Sequence, residues 1–218
     1  MLSNLFRFII NPYIPTRRKA SLKEFIGLLF IYALLSIPLV IISSSVAKVL
    51  KCTHAEFSKE SSLMILYGVF VIPIIEELIC RSWLKWTKRN IYILIATFIF
   101  LVGLSFFRHK FQYIYIMLFL LLLVALLTYL LKNTKVEPFI NKHFKYFYWS
   151  SSIIFGLLHA FNFSGSIWHL IGFSFILGSP QILAGFILGY IRMNNGLRYS
   201  ILFHILINSS LLLYLIHK

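Results

Sequence analysis

Seven long apolar stretches run through the chain, at Glu24 to Ala47, Ser62 to Leu84, Ile91 to Phe107, Phe111 to Leu131, Tyr146 to Phe161, Ile167 to Ile191 and Tyr199 to Ile216. A helix rising about 1.5 Å per residue needs about 20 residues to cross a hydrocarbon core about 30 Å thick, and these stretches fall close to that length. Within lipid every backbone N–H and C=O must be satisfied inside the segment, so such runs fold as helices. The expected architecture is all-α: a polytopic transmembrane helical bundle of about seven spans, with six to eight as its bounds. Gly178, Ser179 and Pro180 interrupt the sixth stretch, which predicts a short re-entrant or interfacial piece followed by a true crossing. With 60% hydrophobic and 12% charged residues, no length remains for a separate soluble domain, and residues 24–218 read as a single membrane domain.

The 21 Lys and Arg face only 6 acidic residues, for a net charge of +15. These cations are dispersed among the connectors rather than gathered on one helix face, which argues against nucleic acid and for the lipid bilayer as partner. With seven crossings and the N-terminus inside, the inner segments hold 5, 3, 4 and 2 basic residues and the outer ones 3, 2, 0 and 1. That asymmetry predicts a multi-pass protein of the cell membrane with a cytoplasmic N-terminus. Residues 1–23 carry a short apolar stretch, Leu5 to Ile10, then Pro12, Pro15 and the run Arg17, Arg18, Lys19. The apolar part is too short for a signal peptide and no small-residue cleavage site follows it, so the segment is expected to lie along the cytoplasmic membrane surface. Cys52 and Cys80 are far apart, and indicate neither a disulfide framework nor a thiolate metal site.

Against this background a few polar residues stand out. Glu76 and Glu77 are adjacent in Val71-Ile-Pro-Ile-Ile-Glu-Glu-Leu-Ile-Cys-Arg81. At about 3 kcal/mol per charged side chain at a helix centre, Glu76, Glu77 and Arg81 together cost about 9 kcal/mol, while the Leu, Ile, Val and Phe of the same stretch recover about 6. This helix therefore needs polar partners from its neighbours. Glu77 and Arg81 are four apart with the acid first, the favourable order for an ion pair on one helix face, and a structural role is the leading reading for them. Glu76 is turned about 100° away, leaving it as the free carboxylate and the candidate general base. Two other apolar stretches carry Phe155-Gly-Leu-Leu-His159 and His204-Ile-Leu-Ile-Asn208. Gly156 permits close helix approach beside His159, and His204 and Asn208 share a helix face. One carboxylate, two imidazoles and an amide on three otherwise apolar helices form a candidate hydrolytic site. Counted from the assumed inner ends, Glu76 lies about 12 Å deep, His204 about 8 Å and His159 about 20 Å, so His159 is the poorest fit. His169 reads as an interfacial residue, and buried surroundings make Cys80 a poor nucleophile.

This pattern resembles the CAAX protease and bacteriocin-processing family of intramembrane peptidases, which includes the type II CAAX prenyl endopeptidases. The family's adjacent glutamates with Arg four residues after the second, its F-x-x-x-H and its H-x-x-x-N or H-x-x-x-D correspond to Glu76, Glu77 and Arg81, to Phe155 and His159, and to His204 and Asn208. The resemblance covers Ser62 to Ser210, taken as the peptidase core, and includes the glycine spacing of Gln181 to Asn208. It implies that Glu76 activates a water with help from His159, that His204 and Asn208 stabilise the oxyanion, and that Glu77 and Arg81 support the helix. The substrate it implies is a hydrophobic peptide or membrane protein, cut in bacterial peptide maturation or in self-immunity to bacteriocins. Zinc held by Glu76, His159 and His204 is the competing mechanism. The H-E-x-x-H spacing is absent, and no cofactor is the preferred expectation. Two other readings stand beside this one: a non-catalytic membrane regulator or immunity protein acting by binding, and a proton-coupled transporter, which the lack of a paired inverted repeat disfavours.

Overall fold

Helix formation follows the apolar stretches, and the computed structural model describes residues 2–16, 18–54, 62–107 and 112–212. In chain order the helices are α1 (Leu2–Ile10), α2 (Leu22–Val49), α3 (Ser62–Leu66), α4 (Ile72–Arg81), α5 (Lys88–Phe107), α6 (Gln112–Lys132), α7 (Val136–Lys142), α8 (Phe144–His159), α9 (Ile167–Gly172), α10 (Ser174–Leu177), α11 (Ser179–Asn194) and α12 (Leu197–Asn208). A π-helical turn, Tyr67–Val71, joins α3 to α4, so that Ser62–Arg81 forms one 20-residue helix. β1 (Thr53–His54) follows α2 and pairs antiparallel with β2 (Phe163–Ser164), which follows α8.

Local signals set several helix ends. The sequence Ser21-Leu-Lys-Glu24 starts α2, with Ser21 Oγ accepting from the Glu24 amide at 3.1 Å, one of the four donors that a helix start leaves unpaired. Pro180 stands in the first turn of α11, where its missing N–H removes no helical bond.

Two helices, Leu22–Val49 and Ser62–Arg81, are long and apolar enough to cross a membrane, and a third joins them if Met117–Lys132 and Val136–Lys142, bent by 95°, form one span. The fifth, sixth and seventh predicted stretches fold as shorter helices: α8 and α11 have 16 residues each and α12 has 12. Sixteen residues reach only about 24 Å. The sixth stretch breaks where its glycine and proline stand, into the short α9 and α10 and then α11. The end of the seventh lies outside the described residues.

The core is built on α8 and α11, which touch backbone to backbone. A Cβ on Gly156 would lie 2.6 Å from Ile182 N, and one on Gly185 would lie 2.7 Å from Ser152 O, so glycine is required at both. Buried Tyr148, Phe155, Ile187, Ile191 and Phe203 extend this core to α12, and Leu28 and Ile31 bring in α2. α1 packs on the start of α8, with Phe8 edge-on to Tyr148 and to Tyr190 at 5.3 Å and Trp149 Nε1 donating to Ile9 O at 2.7 Å. Its Leu2, Phe6 and Ile10 lie on another face and stay exposed, as a helix resting in a membrane surface would leave them.

Candidate active site

Three helices present residues four apart, and each such ladder turns one face towards a common point. On α4 the ladder is Pro73, Glu77 and Arg81; on α8 it is Ser151, Phe155 and His159; on α12 it is Ser200, His204 and Asn208. Glu76, beside the first ladder, receives both imidazoles: His159 Nε2 lies 3.6 Å from its Oε1 and His204 Nε2 lies 3.5 Å from its Oε2. Glu76 keeps 27% of its side-chain surface accessible and His159 17%, whereas His204 keeps 4%, so the carboxylate is reachable while its deeper partner is held.

The far ring nitrogens fix what the near ones offer. His159 Nδ1 lies 2.7 Å from Phe155 O, and a carbonyl only accepts, so the proton is assigned to Nδ1 and Nε2 presents a lone pair. His204 Nδ1 stands 3.3 Å from Glu77 Oε1, out of line for a hydrogen bond, and its proton is placed on Nδ1 because a neighbouring carboxylate favours an N–H over a lone pair. Both imidazoles thus turn acceptors towards an acceptor, at separations beyond the usual hydrogen-bond range of about 2.7–3.2 Å. Such a gap suits an intervening donor, and a water placed there can hydrogen-bond to the carboxylate and an imidazole together.

Behind Glu76 a buried network holds the geometry. Glu77 and Arg81 are fully buried, with Arg81 Nε 4.0 Å from Glu77 Oε1. Arg81 also donates to Ser151 Oγ at 2.8 Å and to Gly185 O at 3.3 Å, and its guanidinium stacks 4.9 Å from the Phe155 ring centre. Ser151 Oγ in turn donates to Cys80 O at 2.7 Å. Ser200 Oγ sits between Glu77 Oε2 and Leu188 O, the latter at 3.0 Å. Arg192, which the charge count placed in a connector, is buried, and its Nε donates to Arg81 O at 2.9 Å, capping the end of α4 with a cation.

The structure therefore brings together Glu76, His159 and His204, with Glu77 and Arg81 directly behind them. His159 meets the others despite its greater counted depth; the first turns of α8, up to Trp149, pack against α1, and the site is formed at the far end of the helix. Asn208, on the same helix face as His204, spends one amide N–H within the bundle: its Nδ2 donates to Gly68 O at 3.3 Å. That carbonyl lies in the π turn, where the bond pattern runs from residue i to i+5 and Ile72 N donates to Tyr67 O. The next donor in the series would be residue 73, a proline with no N–H, so Gly68 O is left for a side chain to satisfy. Asn208 supplies that donor. Sequence reasoning also missed Ser151 and Ser200, although their spacing of four from Phe155 and His204 was the signal that could have found them. His169 is exposed on α9, and Cys52 and Cys80 are both free thiols.

Glu76, His159 and His204 have the donor chemistry of a zinc site, and ligands about 2.0–2.1 Å from a tetrahedral zinc stand about 3.4 Å apart, near the separations seen here. Each imidazole faces a different oxygen of one carboxylate. No protein-family model, curated protein or solved structure matches this chain.

Proposed function

We propose that this chain is an intramembrane endopeptidase that hydrolyses a peptide bond in a hydrophobic or membrane-associated peptide by glutamate-activated water. The observation that carries the proposal is a single reachable carboxylate, Glu76, set between two imidazole Nε2 atoms at 3.6 and 3.5 Å whose Nδ1 atoms are directed to a carbonyl and a carboxylate. In this mechanism a water lodged between Glu76 and His159 gives a proton to Glu76 as its oxygen attacks the scissile carbonyl, and Glu76 then passes that proton to the leaving amine. His204 stabilises the oxyanion when it carries a proton on both nitrogens, Nδ1–H turned to Glu77 and Nε2–H towards the developing charge. Asn208 joins it with the amide N–H not spent on Gly68 O. Were zinc bound, Glu76, His159 and His204 would hold it, and it would supply Lewis acidity to the same water.

The bundle reading belongs to the same proposal. Seven crossings in alternation require the first, third and seventh to start at one end and the first and fifth to finish at the other. The starts of α5 and α12 and the residues preceding α2 line a common pocket, and β1 and β2, which follow α2 and α8, pair with each other. The count of basic residues orients the pocket end towards the cytoplasm. By resemblance to the CAAX protease and bacteriocin-processing family, the substrate class is a bacterial peptide undergoing maturation, or a bacteriocin met in self-immunity.

Comparative peptidomics of cells carrying wild type or Glu76→Ala tests this reading, with an uncleaved peptide expected to accumulate in the variant. Identical peptidomes at equal protein levels would reject catalysis. Retention of biological function by Glu76→Gln and His159→Ala would favour a protein acting by binding, and loss of cleavage on chelation would favour zinc.

A further inference from the structure

At the end of the bundle where α5 and α12 begin, a pocket of about 590 Å³ opens, with Arg18, Lys19, Arg89 and Arg198 on its walls. These four cations come from three separate places in the chain, the connector before α2 and the first turns of α5 and α12, so the fold and not a local charge run brings them together. Only Arg18 has a carboxylate partner among the described residues, Glu24 at 2.5 Å; Arg198 lies against the Tyr199 ring, 5.0 Å from its centre, and Lys19 and Arg89 face no acid. Gathering four like charges around a concavity with a single carboxylate beside them is unfavourable, and an anion relieves it. Two further features add to the attraction. α12 starts from Gly196, whose φ of 116° places the turn and which has no side chain to cap the helix, so the amides of Leu197 and Arg198 add the positive end of a helix to the same wall. Buried Asn90 and Asn195 contribute amide groups.

We propose that this pocket binds the phosphodiester headgroup of an anionic phospholipid. Its polar walls come from the connector before α2 and from the ends of α5 and α12, while Ile93, one turn into α5, and Leu197, at the start of α12, give it an apolar side. That combination fits a ligand with a charged head and acyl chains, at the level where headgroups meet the ends of crossing helices. Positive-inside orientation puts the pocket in the cytoplasmic leaflet, where anionic lipids attract juxtamembrane Lys and Arg.

The test is native mass spectrometry of the full chain in neutral detergent, titrated with dioleoylphosphatidylglycerol, dioleoylphosphatidylcholine or inorganic phosphate. Phosphatidylglycerol should be retained about tenfold more tightly than phosphatidylcholine, and Arg89→Gln/Arg198→Gln should weaken it about thirtyfold, from the worth of two surface cations. The control pair Lys132→Gln/Lys135→Gln, which removes the same charge elsewhere, should leave retention unchanged. If the double variant lowers the unfolding temperature, Lys19→Gln alone is read, with a loss of about fivefold expected. Equal retention of the two lipids overturns the proposal, as does an equal loss in the control pair. Displacement by millimolar inorganic phosphate would show a site for free phosphate instead. Glu76→Gln should retain phosphatidylglycerol like wild type, so failure here and failure of the peptidase reading are separable.

Discussion

Gly156→Ala tests the packing on which the candidate site depends. The added Cβ would stand 2.6 Å from Ile182 N and 2.8 Å from Gly178 O, where ordinary contact begins near 3.4 Å, so α8 and α11 must part by about 0.6–0.8 Å. The Ile182 side chain also stands in the way and could turn aside, but these two atoms are backbone and cannot, which places the overpacking cost near the upper end of the usual range, about 3 kcal/mol. Alanine's better helix propensity returns about 1 kcal/mol, for a net loss of about 2 kcal/mol. In a chain of this size that corresponds to a fall in unfolding temperature of about 4–8 °C, read by thermal unfolding in detergent. The matched control is Gly103→Ala in α5, where a Cβ meets nothing within 4 Å and the same substitution should raise the unfolding temperature by about 1–4 °C. A Gly156→Ala protein that unfolds within a degree of wild type would refute the close-packing argument, and equal damage at Gly103 would show that the loss is unrelated to the α8–α11 contact. Because His159 lies one turn beyond Gly156, the same shift should open the 3.6 Å approach to Glu76 and lower any turnover further than the stability loss explains.

Glu77→Gln leaves Arg81 buried without its counter-charge and should cost about 3–5 kcal/mol, seen as a large drop in unfolding temperature, while Glu77→Leu/Arg81→Leu should be milder because no unpaired charge remains. Ser200→Ala removes the hydroxyl that contacts Glu77 and should cost about 1–3 kcal/mol in the same assay. Glu76→Gln should leave the unfolding temperature close to wild type and reduce peptide cleavage at least about a hundredfold, measured on a substrate found by peptidomics. Asn208→Ala should cost about 1–3 kcal/mol by orphaning Gly68 O, and most of that cost should vanish in a Pro73→Ala background, where residue 73 regains the N–H that the carbonyl lacks.

The helical class and the polar cluster were legible because each has a strong one-dimensional signal. Long apolar stretches can only be helices in lipid, and Glu76, His159 and His204 are costly enough in such stretches to require one another. Helix lengths were less legible. α8 and α11 are less apolar than α2 and run for only 16 residues each, and the lengths of the apolar stretches that contain them did not show where the helices begin and end. Arg192 was misplaced for a related reason: a charge beside a connector reads as solvated unless the neighbouring helix end it caps is known. Ser151 and Ser200 carry little signal alone, since a serine in an apolar helix commonly bonds back to its own turn.

The irregular backbone and the ionisable side chains belong to one design. Pro73 stands four residues before Glu77, and a proline in a helix removes one backbone bond and crowds the preceding turn. In α4 the chain accommodates it by widening into a π turn, which rotates everything downstream relative to the upstream face. An α-helical register through Tyr67–Val71 would turn Glu76 and Glu77 by a large fraction of a residue's 100° step, enough to aim Glu76 away from the two imidazoles. The turn leaves one carbonyl unsatisfied, and the side chain that satisfies it, Asn208, lies four residues after His204 on the same helix face. One side chain thus ties the helix that carries the histidine to the turn that aims the carboxylate, so the distance between His204 and Glu76 is fixed by a backbone defect and its repair.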